Sequence, residues 1–240
     1  MKMLMRWLHS LVALLALLLA GPVWLLASNQ VATDGHWSSL DRSSAGIAPD
    51  PAVNAEAVVQ VYSARAYNWR GAFGEHIWIA TKTENADSYR LHQVLSWRRP
   101  TVVSSIDTPD RAWFGSPPTL LADYRGEAAT LMIPQIEAAA ADYPQAELYR
   151  VWPGPNSNSF IAWVIREVPG FEVTLPVTAI GKDYIFNGVF AAAPSGSGYQ
   201  LEEGIELNLL GLSFGIDVMR PALKLPGIGR LGMPVKVTEG

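Results

Sequence analysis

The chain has 240 residues, a net charge of −4 at pH 7 and 49% hydrophobic residues, a composition that suits one or two globular domains plus an apolar segment. It contains no cysteine, which excludes disulfides, thiolate metal sites and a cysteine nucleophile. The mild negative charge provides no basic surface, so we expect no nucleic-acid partner.

Residues 1–27 form an apolar N-terminal segment. Lys2 and Arg6 precede a long apolar run, which is typical of an export signal, and the positive-inside rule places the rest of the chain outside the cytoplasm. The run is long enough to cross a membrane, which favours an uncleaved signal anchor over a cleaved signal peptide. We therefore predict a membrane-anchored or secreted protein on the periplasmic side, in contact with the cell membrane through residues 7–27.

The remaining chain divides into two predicted regions. Residues 28–54 are rich in Ser, Ala, Asp and Gly and have little periodicity, which indicates a linker or a loosely packed arm. Residues 55–240 are predicted to form a single α+β domain with a Gly-rich C-terminal extension. The extension is apolar, and it lies either against the domain or on a membrane surface; we favour packing against the domain.

The domain is predicted to begin with an antiparallel sheet. Stretches rich in β-branched and aromatic residues predict strands at 57–64, 75–82, 89–97 and 101–106. A polar turn at 84–88 joins the second and third strands into a hairpin. Helices are then predicted to pack on this small sheet.

The second half of the domain carries the helices. An Ala-rich segment predicts a helix at 125–143, and a further strand is predicted at 148–152. A turn made by residues 153–155 leads into a second helix, with apolar residues at helical spacing up to about residue 168. Residues 191–192 and 199–201 are predicted to pair as a hairpin.

The start of the second helix is a candidate site. Asn156, Ser157 and Asn158 all favour the N-cap position. The first turn of a helix has free N–H groups and the positive end of the helix dipole, which suit a nucleophile or an oxyanion. The alternative is an ordinary capped helix with no further role.

Three polar residues suggest a catalytic triad. If the hairpin turns near residues 85–86, His76 and His92 (or its neighbour Gln93) lie nearly opposite each other. Ser157 would then be the nucleophile, His76 the base that takes its proton, and His92 the residue that orients the base. The alternatives are a half-buried, hydrogen-bonded His76, a structural His92 and a Ser157 that only caps the helix.

The same residues carry a resemblance to a known superfamily. Residues 74–79 resemble the strand that begins near the catalytic histidine in circularly permuted NlpC-type papain-like proteins, which include lecithin:retinol acyltransferase-like proteins. His92 matches the second polar position, and residues 156–160 resemble the Asn-Cys-x-x-Phe motif with Ser157 in place of the cysteine. The resemblance covers about residues 57–168 and implies a permuted papain-like fold. The chain also resembles the bacterial "domain of unknown function 3750" family.

We therefore expect a hydrolase or acyltransferase that acts on an amide or ester in the cell envelope. Because serine replaces the more nucleophilic cysteine, the alternative is a catalytically inactive papain-like binding or scaffold domain for a peptidoglycan peptide or a lipid. A third possibility is a structural membrane protein. Candidate substrate-binding residues are Asn156, Asn158, Trp78 and Trp152. No cofactor or metal is expected, because scattered histidines without cysteine make a poor ligand set.

Overall fold

The computed structural model describes residues 2–184, 204–209, 212–217, 221–225, 229–232 and 237–239. The helices are α1 (Lys2–Ala27), a 3-10 helix (Asn68–Ala72), α2 (Gly126–Ala141) and α3 (Ser157–Glu167). The strands are β1 (Val58–Arg65), β2 (Glu75–Lys82), β3 (Arg90–Val94), β4 (Val102–Ile106), β5 (Thr119–Arg125), β6 (Gly204–Leu209), β7 (Leu212–Asp217), β8 (Ala222–Leu225), β9 (Gly229–Gly232) and β10 (Thr238–Glu239). The hairpin predicted from 191–192 and 199–201 lies outside the described residues.

The main sheet has the strand order β10-β5-β1-β2-β3-β4. Neighbouring strands are antiparallel except for β10, which is parallel to β5. Helices α2 and α3 contact this sheet, so the predicted α+β class with an antiparallel sheet and packed helices is confirmed. The strand predicted at 148–152 does not form, because Arg150 N–H instead donates to Pro155 O in a local turn at 2.7 Å.

The central strands are buried because both faces of the sheet are covered. One face packs on α2 and α3 through a core that includes Val61, Ile79 and Phe160. The other face carries Tyr62 and Trp78 in a second, more aromatic core. Strand β1 is therefore buried along almost its whole length, including the polar residues Gln60 and Ser63.

The arm at 28–54 is docked on the second face and is not a free linker. Its central residues pair with the β4–β5 loop: Ala45 N–H donates to Asp110 O at 3.1 Å, and Ala112 N–H donates to Ser43 O at 2.8 Å. The buried carboxylate of Asp110 then accepts hydrogen bonds from Ser44 Oγ at 2.7 Å, Ile47 N at 2.6 Å and Ala48 N at 3.1 Å. These hydrogen bonds satisfy the buried carboxylate and hold the middle of the arm on the domain, while the expected boundaries of the linker or arm at 28–54 stay a prediction.

Removing this carboxylate is expected to release the arm. We predict that Asp110→Ala lowers the free energy of unfolding by about 2–3 kcal/mol, since three hydrogen bonds to a buried carboxylate are lost. Urea unfolding measures this change, and limited proteolysis should show earlier cleavage within residues 28–54. The matched control is Asp87→Ala, because Asp87 is exposed and bonds only to its neighbour Ser88. Equal protease resistance of the two variants would contradict the docking role of Asp110.

The N-terminal end of the chain forms the helix α1, and the region near the C-terminal end forms a second sheet. Within the described residues no single helix is long and apolar enough to cross a membrane; Lys2–Ala16 and Leu19–Ala27 pass that test together and are bent by 42° at their break. Near the other end, the described parts of the Gly-rich extension form a second antiparallel sheet in the order β6-β7-β8-β9. Its strand β10 pairs with β5 of the main sheet, and the expectation that the rest of the extension packs against the domain rather than on a membrane surface stays a prediction.

Candidate active site

A cleft of about 1070 Å³ opens beside the first residues of β2. Three polar residues from separate parts of the chain line it: His76 from β2, Gln93 from β3 and Ser157 from the start of α3. The walls are largely aromatic, with Trp37, Tyr67, Trp69, Phe73, Trp97, Trp113, Phe114, Tyr149 and Trp152. The cleft is therefore a concave, mostly apolar site with a few converging polar groups, as ligand sites usually are.

His76 is held in one orientation inside this cleft. Its ring stacks on Trp113 with centroids 3.7 Å apart, and its Nε2 lies 3.1 Å from Gln93 Oε1. Because an amide oxygen can only accept, the imidazole proton lies on Nε2 and the lone pair lies on Nδ1. Burial lowers the pKa of His76 to about 3, partly opposed by the Gln93 hydrogen bond and assisted by the charge of Arg111. The ring is therefore neutral at pH 7.

His92 lies on the opposite face of the sheet. Strand register pairs it with Ile79, so its side chain points toward the core beneath α2 and α3, away from His76. Its Nε2 contacts Thr81 Oγ1 at 3.0 Å and its Nδ1 contacts Ser104 Oγ at 2.9 Å. Burial, assisted by the charge of Arg90, lowers the pKa of His92 to about 4. The expected contact between His76 and His92 is not formed, and Gln93 occupies that position.

Ser157 is the first residue of α3, and Asn156 is the N-cap. The Asn156 side chain accepts hydrogen bonds from Asn158 N and Ser159 N, and Ser159 Oγ accepts one from Asn156 N, which completes a capping box. Ser157 Oγ is therefore not used as the cap. It makes only a long contact of 3.5 Å with Asn158 Oδ1, and within the described structure its backbone N–H has no hydrogen-bond partner. Ser157 therefore lines the cleft with neither group used in the helix cap.

Asn156 and Asn158 line the cleft, but their amide groups are bonded to the protein. Asn158 Nδ2 donates to Glu75 O at 3.0 Å and to Ile180 O at 2.9 Å. Asn156 Nδ2 donates to Val151 O at 3.1 Å and to the same Ile180 O at 2.9 Å. These bonds tie the start of α3 to the residue that precedes His76. The two asparagines predicted to bind substrate therefore position Ser157 relative to His76.

The loop at 176–184 depends on a glycine to make these bonds. Gly181 has a φ of +93°, a conformation that residues with a side chain rarely adopt. A Cβ at this position would collide with the Asn156 amide. Ser159 Oγ also donates to Gly181 O at 2.7 Å. The loop can therefore lie directly against the capped end of α3.

The two tryptophans predicted to bind substrate have different positions. Trp78 is 1% exposed and its Nε1 donates to Pro109 O at 2.7 Å, so it is a core residue behind the cleft and cannot contact a ligand there. Trp152 is 50% exposed and lines the cleft. Trp113, which the sequence analysis did not select, contacts His76 directly. Its only sequence signal was its place among the nine tryptophans of the chain.

Within the described part of the chain, no group of three or more His, Asp or Glu residues is arranged to hold a metal ion.

Comparison with known proteins gives one assignment. The sequence profile described as "Protein of unknown function (DUF3750)" matches residues 56–184, more than half of the chain. The chain belongs to the DUF3750 family. No curated protein and no solved structure gives a significant match. The DUF3750 region contains His76, Gln93 and Ser157, whereas the arm at 28–54 and the second sheet lie outside it.

Proposed function

We propose that the cleft is the active site of a hydrolase or acyltransferase of the permuted papain-like type, acting on an ester or amide in the cell envelope. The observation that supports this proposal is the pairing of His76 with Gln93 in the cleft that Ser157 also lines. A nucleophile at a helix start, a base and a group that orients the base are the parts of an acyl-transfer site.

The proposed reaction has two steps. Ser157 Oγ attacks the substrate carbonyl carbon while its proton passes to His76 Nδ1, and Gln93 keeps hold of the Nε2–H. The Ser157 backbone N–H donates to the oxyanion that develops. His76 then returns the proton to the leaving alcohol or amine, which leaves an acyl-Ser157 ester. Water, or a second alcohol or amine acceptor, repeats the sequence in reverse and frees the serine.

The experiment is covalent labelling of the full chain, reconstituted in lipid nanodiscs, with a fluorophosphonate. We expect the parent protein to react at Ser157. Because the pKa of His76 lies at about 3, the base is unprotonated throughout the neutral range, so the labelling rate should be flat from pH 8 to 5 and fall only below pH 4. A rate that instead falls through pH 6.5 would contradict the lowered pKa of His76, and labelling that is unchanged in His76→Ala would contradict its assignment as the base.

Folding must be followed in the same samples. His76 and His92 have lowered pKa values in the folded chain against 6.5 when unperturbed. The unfolded chain therefore binds more protons below pH 6.5, and stability falls as the pH drops. Circular dichroism at each pH separates loss of the base from loss of the fold.

The second candidate function is a catalytically inactive binding domain for an envelope lipid or peptidoglycan peptide. The observation that favours it is the low pKa of His76, since a serine hydroxyl needs a stronger base than a cysteine thiol does. A folded parent protein that resists fluorophosphonate at every pH would support this candidate.

We further propose that α1 anchors the domain on the periplasmic side of the cytoplasmic membrane. The basic start of α1 and the combined length of its two parts support this location. A C-terminal alkaline phosphatase fusion should be active, since that enzyme matures only outside the cytoplasm, and an inactive fusion would contradict this orientation. The mass of the purified chain shows whether the segment is cleaved.

A further inference from the structure

The cleft has a charge of opposite sign to the whole chain. The chain carries a net charge of −4, but four arginines and only two carboxylates line the cleft: Arg42, Arg70, Arg98 and Arg111 against Glu75 and Asp107. Asp107 is already paired with Arg111 at 2.6 Å, and Glu75 accepts a hydrogen bond from Thr178 Oγ1 at 2.6 Å. Among the described residues Arg42, Arg70 and Arg98 form no ion pair. The cleft therefore favours a ligand with negative charge.

Arg42 reaches the cleft because the arm is docked. Its neighbours Asp41 and Ser43 both accept backbone hydrogen bonds from the loop at 112–115, at 2.9 and 2.8 Å. The Arg42 guanidinium lies 4.5 Å from the centre of the Phe114 ring, a cation–π contact. The Arg42 side chain is exposed at the cleft rim. The backbone on both sides of this arginine is thus fixed. Its Nη2 donates to Trp37 O at 3.0 Å, which leaves its other N–H groups for a ligand.

Arg111 lies beside Arg42 and is incompletely satisfied. Burial lowers the pKa of Arg111; Asp107 opposes this effect and the charge of Arg42 adds to it. Within the described structure Arg111 Nε is buried and has no hydrogen-bond partner. Two neighbouring guanidiniums, one with an unpaired buried donor, make a site for a carboxylate or phosphate group, which arginine binds through several N–H groups.

The rest of the cleft suits an apolar chain. Four tryptophans at its walls are each at least half exposed: Trp37 at 54%, Trp69 at 54%, Trp97 at 60% and Trp152 at 50%. Large apolar side chains that remain exposed in one concave surface usually mark a binding site. The Arg111 guanidinium lies 5.4 Å from the Trp113 ring, which in turn stacks on His76. An anion at Arg111 is therefore two side-chain contacts away from the proposed base.

We propose that Arg42 and Arg111 bind the anionic group of an amphiphilic ester or amide whose apolar chain lies along the tryptophans of the cleft. Binding of the anionic group depends only on the arginines, whereas the role of this ligand as a substrate rests on the proposed function. A bound anion would also offset the charge of Arg111, which helps to lower the pKa of His76, and so would make the base stronger when substrate is present.

The test is calorimetric titration of the full-length Ser157→Ala protein in nanodiscs, which cannot form an acyl-serine, with empty nanodiscs as the blank. The probes are hexyl phosphate, hexanol and inorganic phosphate. We expect hexyl phosphate to bind at least about tenfold more tightly than either of the others, and Arg42→Gln to weaken hexyl phosphate about tenfold without changing hexanol. Arg42 is exposed, so this variant should fold, which circular dichroism checks.

The matched control is Arg90→Gln, because Arg90 is exposed on β3, does not line the cleft and should not affect any probe. Equal affinity for hexyl phosphate and hexanol, or equal effects of the two arginine variants, would overturn the proposal. If only inorganic phosphate binds tightly, the cleft is a free-phosphate site, and the proposal of an amphiphilic ligand is overturned. Fluorophosphonate labelling without selective binding of hexyl phosphate would support the proposed reaction and contradict the anion site. Selective binding without labelling would support the anion site and contradict the proposed reaction.

Discussion

Replacing Ser157 with alanine is expected to abolish fluorophosphonate labelling of the full chain, and replacing His76 with alanine should slow it by about 10²- to 10⁴-fold. In the proposed reaction the Ser157 oxygen is the atom that forms the bond to phosphorus, so its removal takes away the labelled atom. His76 takes the proton, so its loss leaves a serine hydroxyl that is a poor nucleophile. In-gel fluorescence gives the rate, and mass spectrometry of the modified peptide gives the residue.

A serine–histidine contact elsewhere in the described structure supplies the control. Ser104 is exposed, and its Oγ lies 2.9 Å from His92 Nδ1, a distance that alone would suit an activated serine. Ser104 lies on the edge strand β4 and does not line the cleft, so it lacks the free helix N–H that Ser157 has. Ser104→Ala should label like the parent. Loss of labelling in that variant, with Ser157→Ala unaffected, would move the reactive pair to the opposite face of the sheet.

The partner of His76 follows from the hairpin that the sequence predicts. A turn centred between Asn85 and Ala86 pairs Ile79 with His92, which is the register that the structure has. Since side chains alternate between faces, this register directs His92 away from His76 and brings Gln93 to the same face. Strand alternation therefore predicts Gln93 as the partner of His76. The triad hypothesis chose His92 instead, because histidine is the more familiar catalytic residue type.

The capped helix was predictable because its signals are local. The structure has both the predicted N-terminus and its capping residues, with Asn156 as the cap. The choice among three adjacent cap-forming residues could not be made from sequence, since it depends on Ile180 and Glu75, whose carbonyls bind the two asparagine amides. This choice matters, because it frees the Ser157 hydroxyl from a structural role.

The docking of the arm at 28–54 was not predictable, because its contacts are with residues that are distant in the sequence. Its main anchor, Asp110, is more than 60 residues away in the chain, and its own composition is that of a loop. The arm lies outside the DUF3750 region, yet it supplies Trp37 and Arg42 to the cleft. In the proposed arrangement, residues within the DUF3750 region perform the reaction, and the arm contributes to the choice of ligand.

Replacing Gln93 with leucine is expected to slow labelling by about 10²-fold while leaving Ser157 as the labelled residue. The Gln93 oxygen fixes the His76 proton on Nε2, and its hydrogen bond raises the pKa of His76 against the effect of burial. Leucine removes both effects, so the ring loses its tautomer preference and becomes an even weaker base. The control is Gln135→Leu, a matched substitution at an exposed position of α2.

Gln93→Glu separates the positioning of His76 from simple packing. A carboxylate accepts the same hydrogen bond and its charge raises the pKa of His76, so labelling should be retained at pH 8 and should decline at a higher pH than in the parent as the solution is acidified. A residue that only filled space would not move the pH profile. If Gln93→Leu reacts like the parent and Gln93→Glu leaves the profile unchanged, His76 is oriented by its stacking on Trp113 alone, and the site is a serine–histidine pair without a third member.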